Sequence, residues 1–480
     1  MSTSSIPQIC GCASRIASRS VVPDRAQPQI VIGGAVKTRA VLRFPRAMID
    51  GANSLLRTWY DMRRPIYLAS FALAPCLQTP HKRLTVCSQF GGMLGVPPCL
   101  RGYIAMRILL TDLYGGPAGS TMSVSYLARG LAQRGHAVWV LCPPGSLLQG
   151  LLSADDVTVV PLEVSGKLDI ASAKRVHRLV ADNAIDIVDV QASKDRYMLS
   201  WAKLFHGLRI PVVHTRRQYP RSAGGWLHRT LYVWSTERII VISDGLKRIF
   251  VDKHYPEKHL HVIHNGVPAN RYRQWSPERV AYYRETLGLG PACRVIGCVS
   301  RMKEQQQILE AVALLRDPSL VLLFAGIPQG SLDRRARRLG LPNRIVYAGF
   351  VDNDEILNIY RLLDVNILAS TMDGFGLVLL EAMAMRCPVI GTAFGGITDV
   401  IQDNVNGLLF PDGDVAALAD RIRRALTDEA LRHRLIDNGR HTAHETFTIE
   451  RTIDGHEALF RRLVHAPAAD AASDRALVCR

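Results

Sequence analysis

Long apolar runs are missing from this chain. A membrane-spanning helix needs roughly 18 to 20 consecutive apolar residues, and the best stretch, Ile66 to Ala74, is half of that. An integral membrane protein is therefore not expected. Ten cysteines are present, yet no two stand as Cys-x-x-Cys, and they are scattered from Cys10 to Cys479. That spacing argues against a zinc site or a disulfide framework and for reduced thiols in a cytoplasmic protein. Zinc-finger spacing, an RNA-recognition aromatic motif and a basic heptad region are also absent. The net charge of +17 and pI of 9.7 consequently imply no nucleic-acid partner, and read as a solvated surface with some attraction for anions. Acids are scarce in front: residues 1–105 carry 13 Lys and Arg against Asp24, Asp50 and Asp61, a balance of +10 that leaves +7 for residues 106–480.

What is present is ordinary for a globular protein. With 48% hydrophobic and 21% charged residues, disorder of the whole chain is excluded, and 480 residues at roughly 150 per domain suggest about three domains. Residues 1–105 lack sustained periodicity and are broken by nine prolines from Pro7 to Pro98, so poor order is expected there. Two origins stay open: an upstream start artefact with Met106 as the natural initiator, or a Ser- and Arg-rich targeting segment. From Met106 onward, short apolar runs alternate with amphipathic stretches, as in Arg107–Thr111, Ser120–Gln133 and Ala137–Cys142. The pattern predicts an α/β fold of two Rossmann-like, doubly wound domains facing an interdomain cleft. The first spans 106–267 and the second 293–448, with a charged linker at 268–292 and a C-terminal helix and tail at 449–480. Ligands of such sheets bind beyond the carboxyl ends of the strands, so the cleft is the expected site.

The most specific feature is Ser370-Thr-Met-Asp373-Gly-Phe375-Gly376-Leu377-Val-Leu-Leu-Glu381. A strand ending near Ala369 runs into a glycine-flanked loop, and a helix opens at about Gly376 with its first N–H groups unpaired. Such a helix start suits a phosphate, here without a Walker lysine. Glu381 is the only charged residue from Gly374 to Met385, in a helix apolar nearly all round. A buried carboxylate needs partners, either the two vicinal hydroxyls of a ribose or an internal salt bridge. After the first strand of the second domain comes Ser300-Arg301-Met-Lys303-Glu304, and after the first strand of the chain comes Tyr114-Gly115-Gly116-Pro-Ala-Gly119.

Taken with Pro388-Val-Ile-Gly391-Thr-Ala-Phe-Gly395-Gly396-Ile and Asn406-Gly407-Leu-Leu-Phe-Pro, this segment resembles the nucleotide-binding half of the retaining family 4 glycosyltransferases of the GT-B fold, over about 106–464. The resemblance implies transfer of a sugar from a nucleoside diphosphate sugar, with retention, to a hydroxyl of a glycan or lipid-linked acceptor, as in the synthesis of cell-surface polysaccharide or lipopolysaccharide. It places the family's Glu-x7-Glu motif on Asp373 and Glu381, with Asp where the family usually has Glu. Glu381 would hold the ribose, Asp373 would orient the donor sugar, and the backbone of Phe375, Gly376 and Leu377 would face the diphosphate. Arg301 and Lys303 would grip that diphosphate, and Gly115 and Gly116 would lie against the donor phosphates.

On the acceptor side, relatives carry a His near the reacting sugar. That register falls on Arg217, with His214 three residues earlier, and the His-x-His-like region of relatives reads Asp189-Val-Gln191. No protein base is assigned. Neither a metal nor a cofactor is expected: Asp412-Gly-Asp414 looks like a metal-binding Asp-x-Asp but reads as a helix cap. Asn265-Gly266 reads as a turn. The cations and aromatics of Arg216 to Arg229 suggest contact with an anionic membrane surface or a lipid-linked acceptor, with a plain surface loop as the alternative. The expected location is cytoplasmic, at or near the inner face of the membrane. Two further functions stay open: a non-catalytic nucleotide-sugar-binding protein, and a nucleotide-sugar epimerase of the same fold.

Overall fold

Strands β1 (Arg107–Thr111) and β4 (Ile187–Val190) carry almost no polar face: Ile108, Leu109, Leu110, Ile187 and Val188 are all fully buried. Burial on both faces is the signature of parallel strands covered by helices on two sides. The computed structural model describes residues 105–116, 118–220 and 225–465. The expectations for residues 1–104, for Pro117, for residues 221–224 of the cationic stretch and for the tail beyond 465 lie outside the described residues.

The first sheet adds β2 (Ala137–Cys142), β3 (Thr158–Pro161), β5 (Val212–Arg216), β6 (Arg238–Val241) and β7 (Leu260–Val262), in the spatial order β3-β2-β1-β4-β5-β6-β7. The second holds β8 (Arg294–Val299), β9 (Leu320–Ala325), β10 (Arg344–Gly349), β11 (Val365–Leu368), β12 (Val389–Thr392) and β13 (Leu408–Phe410), in the order β10-β9-β8-β11-β12-β13. All pairings are parallel. The two-domain doubly wound expectation holds. In each sheet the strand order reverses once, between β1 and β4 and between β8 and β11, and the loops leaving these switch points are where an open sheet binds its ligand.

Two segments at the domain limits carry helices. Within the linker 268–292, Ser276 caps a helix, Pro277–Thr286, by accepting the Arg279 N–H at 3.2 Å, and Arg279 pairs with Glu355 of the second domain at 3.0 Å. The last helix, Ile449–Val464, returns to the first domain, where Ile453, Leu459 and Phe460 join its core. Gly130 makes room for Ile453, since a Cβ there would collide with that side chain. Glu457 then pairs with Arg134 at 2.8 Å. Gly266 is no turn. It lies against the Thr448 carbonyl, where any side chain would clash, and the flanking Val267 bridges to Thr448. A continuous apolar cluster joins the domains, running from Val241, Ile242 and Leu246 to Phe375, Leu379 and Ile397.

Candidate functional site

In the second domain the loops after β8 and β11 meet because their strands are neighbours. Lys303 Nζ forms an ion pair with the Asp373 carboxylate, and the Thr371 hydroxyl donates to Glu304 at 3.2 Å. Arg301 stands exposed beside them. The next helix, Leu377–Ala384, starts on Gly376, which is in the left-handed region at φ 91° and offers no side-chain cap. A non-glycine residue would be strained there. Phe375 is buried against the His264 and Phe447 rings, with centroids 5.9 and 5.2 Å away. The Phe375 ring therefore anchors the loop, and the uncapped first turn is left facing the cleft. Across it, a Cβ placed on Gly119 would stand 3.6 Å from Leu377 Cδ1, so the first domain's glycine loop and this helix start are adjacent.

Glu381 lies in the body of that helix, its side chain 15% exposed. The Tyr360 hydroxyl donates to Oε2 at 3.3 Å, and Arg271 Nη2 is 3.6 Å from Oε1. Burial pushes the carboxyl above the usual range, opposed by Arg271 and Tyr360. Arg271 is itself buried and donates to the Asn353 carbonyl and to Gln274. The salt bridge weighed as an alternative thus exists, but it is long, and a carboxylate has about four acceptor sites. Lone pairs remain for further donors.

In the first domain Gly115 adopts φ +55°, and a Cβ on it would lie 2.7 Å from Ser146 Cβ. The turn is held by Asp112, whose Oδ1 accepts from Tyr114 N at 3.2 Å and Gly115 N at 3.4 Å; Gly116 follows directly. Burial raises the Asp112 pKa, and its Oδ2 has no hydrogen-bond partner. Arg217 is buried, 8% exposed, and donates to Gln191 Oε1. Gln191 in turn donates to Asp189 at 2.6 Å, and Thr215 donates to Asp189 at 2.8 Å. Burial pushes Asp189 up to about 7 against the pull of Thr215 and Arg217. The two departures from the family pattern, Asp189-Val-Gln191 and Arg217, are therefore one hydrogen-bonded unit.

His214 does not belong to it. Strand residues alternate in direction, so His214 points to the opposite face from Thr215. It is fully buried, with Nδ1 2.5 Å from the Tyr232 hydroxyl. Burial, then Arg216, Arg196 and Arg217, holds its pKa well below the ordinary imidazole value. Of the two residues expected near the reacting sugar, Arg217 lies in this network, while His214 is buried on the other face of β5 against Tyr232.

Sequence reading missed the seam that joins the domains beside this site. The Tyr219 hydroxyl donates to the Asp373 carbonyl at 2.9 Å and accepts from Gly396 N at 3.3 Å. Ser243 donates to the Gly374 carbonyl at 2.8 Å. Asp399 accepts from Asp244 N at 2.5 Å and Gly245 N at 3.1 Å, with His264 Nε2 3.1 Å away. A Cβ on Gly245 would strike the Gly395 carbonyl, and one on Gly374 would strike that of Arg217. The available signal was the cluster of glycines, which permits backbone to lie on backbone. Asp244, His264 and Asp399 also bring ligand-type atoms within 4.8 Å of one another, but Asp399 is already occupied as acceptor for the seam. Asp414 caps its helix by accepting Ala417 N at 2.9 Å, as expected.

Comparison with known proteins agrees with the two-domain fold. A family model described as Glycosyltransferase Family 4 matches residues 117–271, and one described as Glycosyl transferases group 1 matches residues 293–442. The N-acetyl-alpha-D-glucosaminyl L-malate synthase of Bacillus anthracis is 25% identical over 365 residues, covering 72% of this chain and 94% of that protein. A glycosyltransferase from Rickettsia africae superposes with a TM-score of 0.66 at 20% identity, over 76% of this chain and 100% of that one. Anabaena HepE, solved in complex with UDP and glucose, superposes with a TM-score of 0.64 at 21% identity, over 75% and 100%.

Proposed function

Since this chain belongs to the family 4-like glycosyltransferases and has the GT-B fold, we propose that it moves a sugar from a nucleoside diphosphate sugar, with retention of configuration, to a hydroxyl of a glycan or lipid-linked acceptor. The observation that carries this reading is the meeting of Lys303, Asp373 and the uncapped Gly376 helix start, with Glu381 buried one and a half turns further in. In this reading the Phe375 to Leu377 backbone and the Arg301 and Lys303 cations take the diphosphate, whose growing negative charge as the sugar departs is stabilised most in the transition state. Glu381 takes the ribose and Asp373 orients the sugar. Gly115 and Gly116 let the first domain approach the phosphates. Arg217, fixed by Gln191, adds a buried positive charge near the glycine loop. Seam closure through Tyr219 and Asp399 excludes water from the donor. UDP and glucose in the Anabaena neighbour are of the chemistry this reading assigns to the donor.

No helix among the described residues is long and apolar enough to cross a membrane. Contact with an anionic membrane surface is assigned to the helix Trp226–Ser235, whose Trp226 and Leu227 are 67% and 64% exposed. Incubating the full chain with a panel of nucleotide sugars and following them by chromatography tests the activity. Slow release of free sugar from one donor is expected. Sugar isomerisation would make the protein an epimerase, and saturable binding with no turnover would make it a non-catalytic binder.

A further inference from the structure

Buried arginines are almost always paired with an acid, and Arg196 is not. It lies in the first turn of the helix Ser193–His206, which opens at the carboxyl end of β4, and is 6% exposed. Its guanidinium lies 3.9 Å from the Tyr232 ring centroid and 4.5 Å from that of Tyr197. Nη2 is 3.0 Å from His228 Nε2, and Nε is buried with no hydrogen-bond partner. Among the described residues no carboxylate forms an ion pair with it. His214 Nε2 and His228 Nδ1 are likewise buried without partners.

The electrostatic surroundings have one sign. After burial itself, the groups acting on His214 are Arg216, Arg196 and Arg217, and those acting on His228 are Arg196, Lys167 and Arg216. No carboxylate is among the groups acting on either imidazole. The cluster reaches solvent through Tyr197 and His228, both half-buried. It sits at the ligand-binding edge of the sheet, with Arg216 only three residues before Tyr219, which touches Asp373. Yet it lies on the opposite face of β5 from Thr215 and the Asp189 network, so it is separate from the glycine loop assigned to the donor phosphates.

We infer that Arg196, with Arg216 and His228 around it, is a subsite that recognises an anionic group, phosphate or carboxylate, carried by the acceptor. An arginine fork held by two aromatic faces is pre-oriented for a two-oxygen anion. The inference rests on the transferase reading above, with the acceptor side on the first domain, where the resemblance places it at His214 and Arg217.

The test loads the full chain with a saturating nucleoside diphosphate and titrates sn-glycerol 3-phosphate, succinate and glycerol in separate calorimetric experiments. Expected is saturable binding of at least one anion, with glycerol silent and the affinity about 10- to 100-fold weaker in Arg196→Gln, while nucleotide affinity is unchanged. The two anion arms tell a phosphate from a carboxylate site. Should Arg196→Gln fail to fold, His228→Ala removes the neighbouring contact and is expected to weaken the same anion. Absence of anion binding to the nucleotide-loaded protein, or equal affinity in wild type and variant, overturns the inference. Failure of any nucleoside diphosphate to bind overturns instead the reading on which it rests.

Discussion

The ribose role of Glu381 can be separated from its structural role by substitution and by the ligand. Glu381→Ala would leave buried Arg271 without its carboxylate, and breaking a buried pair costs about 3 to 5 kcal/mol, so that variant confuses binding with folding. Glu381→Gln keeps an acceptor for Tyr360, and Arg271 retains Asn353 and Gln274. Each charge-assisted hydrogen bond contributes about 1.5 to 3 kcal/mol, which is about 10- to 150-fold in affinity. The wild type should therefore bind the preferred nucleoside diphosphate at least about tenfold more tightly than its 2′-deoxy counterpart, and Glu381→Gln should abolish most of that preference. Calorimetric titration of both ligands into both proteins measures it. Because burial raises the Glu381 pKa, the preference should also weaken on acidification sooner than an exposed glutamate would dictate. Equal wild-type affinity for the two ligands, or an undiminished preference in Glu381→Gln, refutes the ribose assignment.

Gly245→Ala places a methyl against the Gly395 carbonyl, which is backbone and cannot swing aside. Misplacement of the cleft walls by about 1 Å can cost on the order of 100-fold in rate, so donor turnover should fall steeply while each domain keeps its helical signal; unchanged turnover would show that the seam is not needed. Partial burial of Glu457 raises its pKa, but hydrogen bonds from Arg134 and Arg461 overcome this and hold it at about 2 against an unfolded value near 4.5. A depressed carboxyl stabilises the fold above its unfolded pKa and ceases to do so as pH falls through its folded one. Glu457→Gln should therefore be less stable than wild type to urea at pH 7, with the gap closing between about pH 4.5 and 2; a gap independent of pH would count against the ion pair.

Much of the fold was legible because its signals are local. Arg107–Thr111, Arg294–Val299 and Leu320–Ala325 are strands bounded as their apolar runs suggest, and Asp414 caps its helix as a short polar side chain before an amphipathic run should. The Leu377–Ala384 helix was readable from a glycine before it and one acid within it. Trp226–Ser235 is harder: its cations and aromatics mask the helical period, and for Arg216 to Arg229 the sequence leaves membrane or acceptor contact and a surface loop both open. Pro277–Thr286 was read as linker because its charge overshadowed the Ser276-Pro277 start signal.

The order of chemistry along the chain, glycine loop, cationic loop, helix start and buried acid, belongs to the sequence alone, since each part is a backbone or residue-type requirement met within a few positions. Which side chains face one another belongs to the tertiary structure. Only the pleat sends His214 into the core and Thr215 to the opposite face. Only the reversal of strand order brings Lys303 to Asp373, and only the return of the last helix sets Glu457 on Arg134. These pairs lie 70 and 323 residues apart in sequence, and no local periodicity encodes a contact that only the folded chain creates.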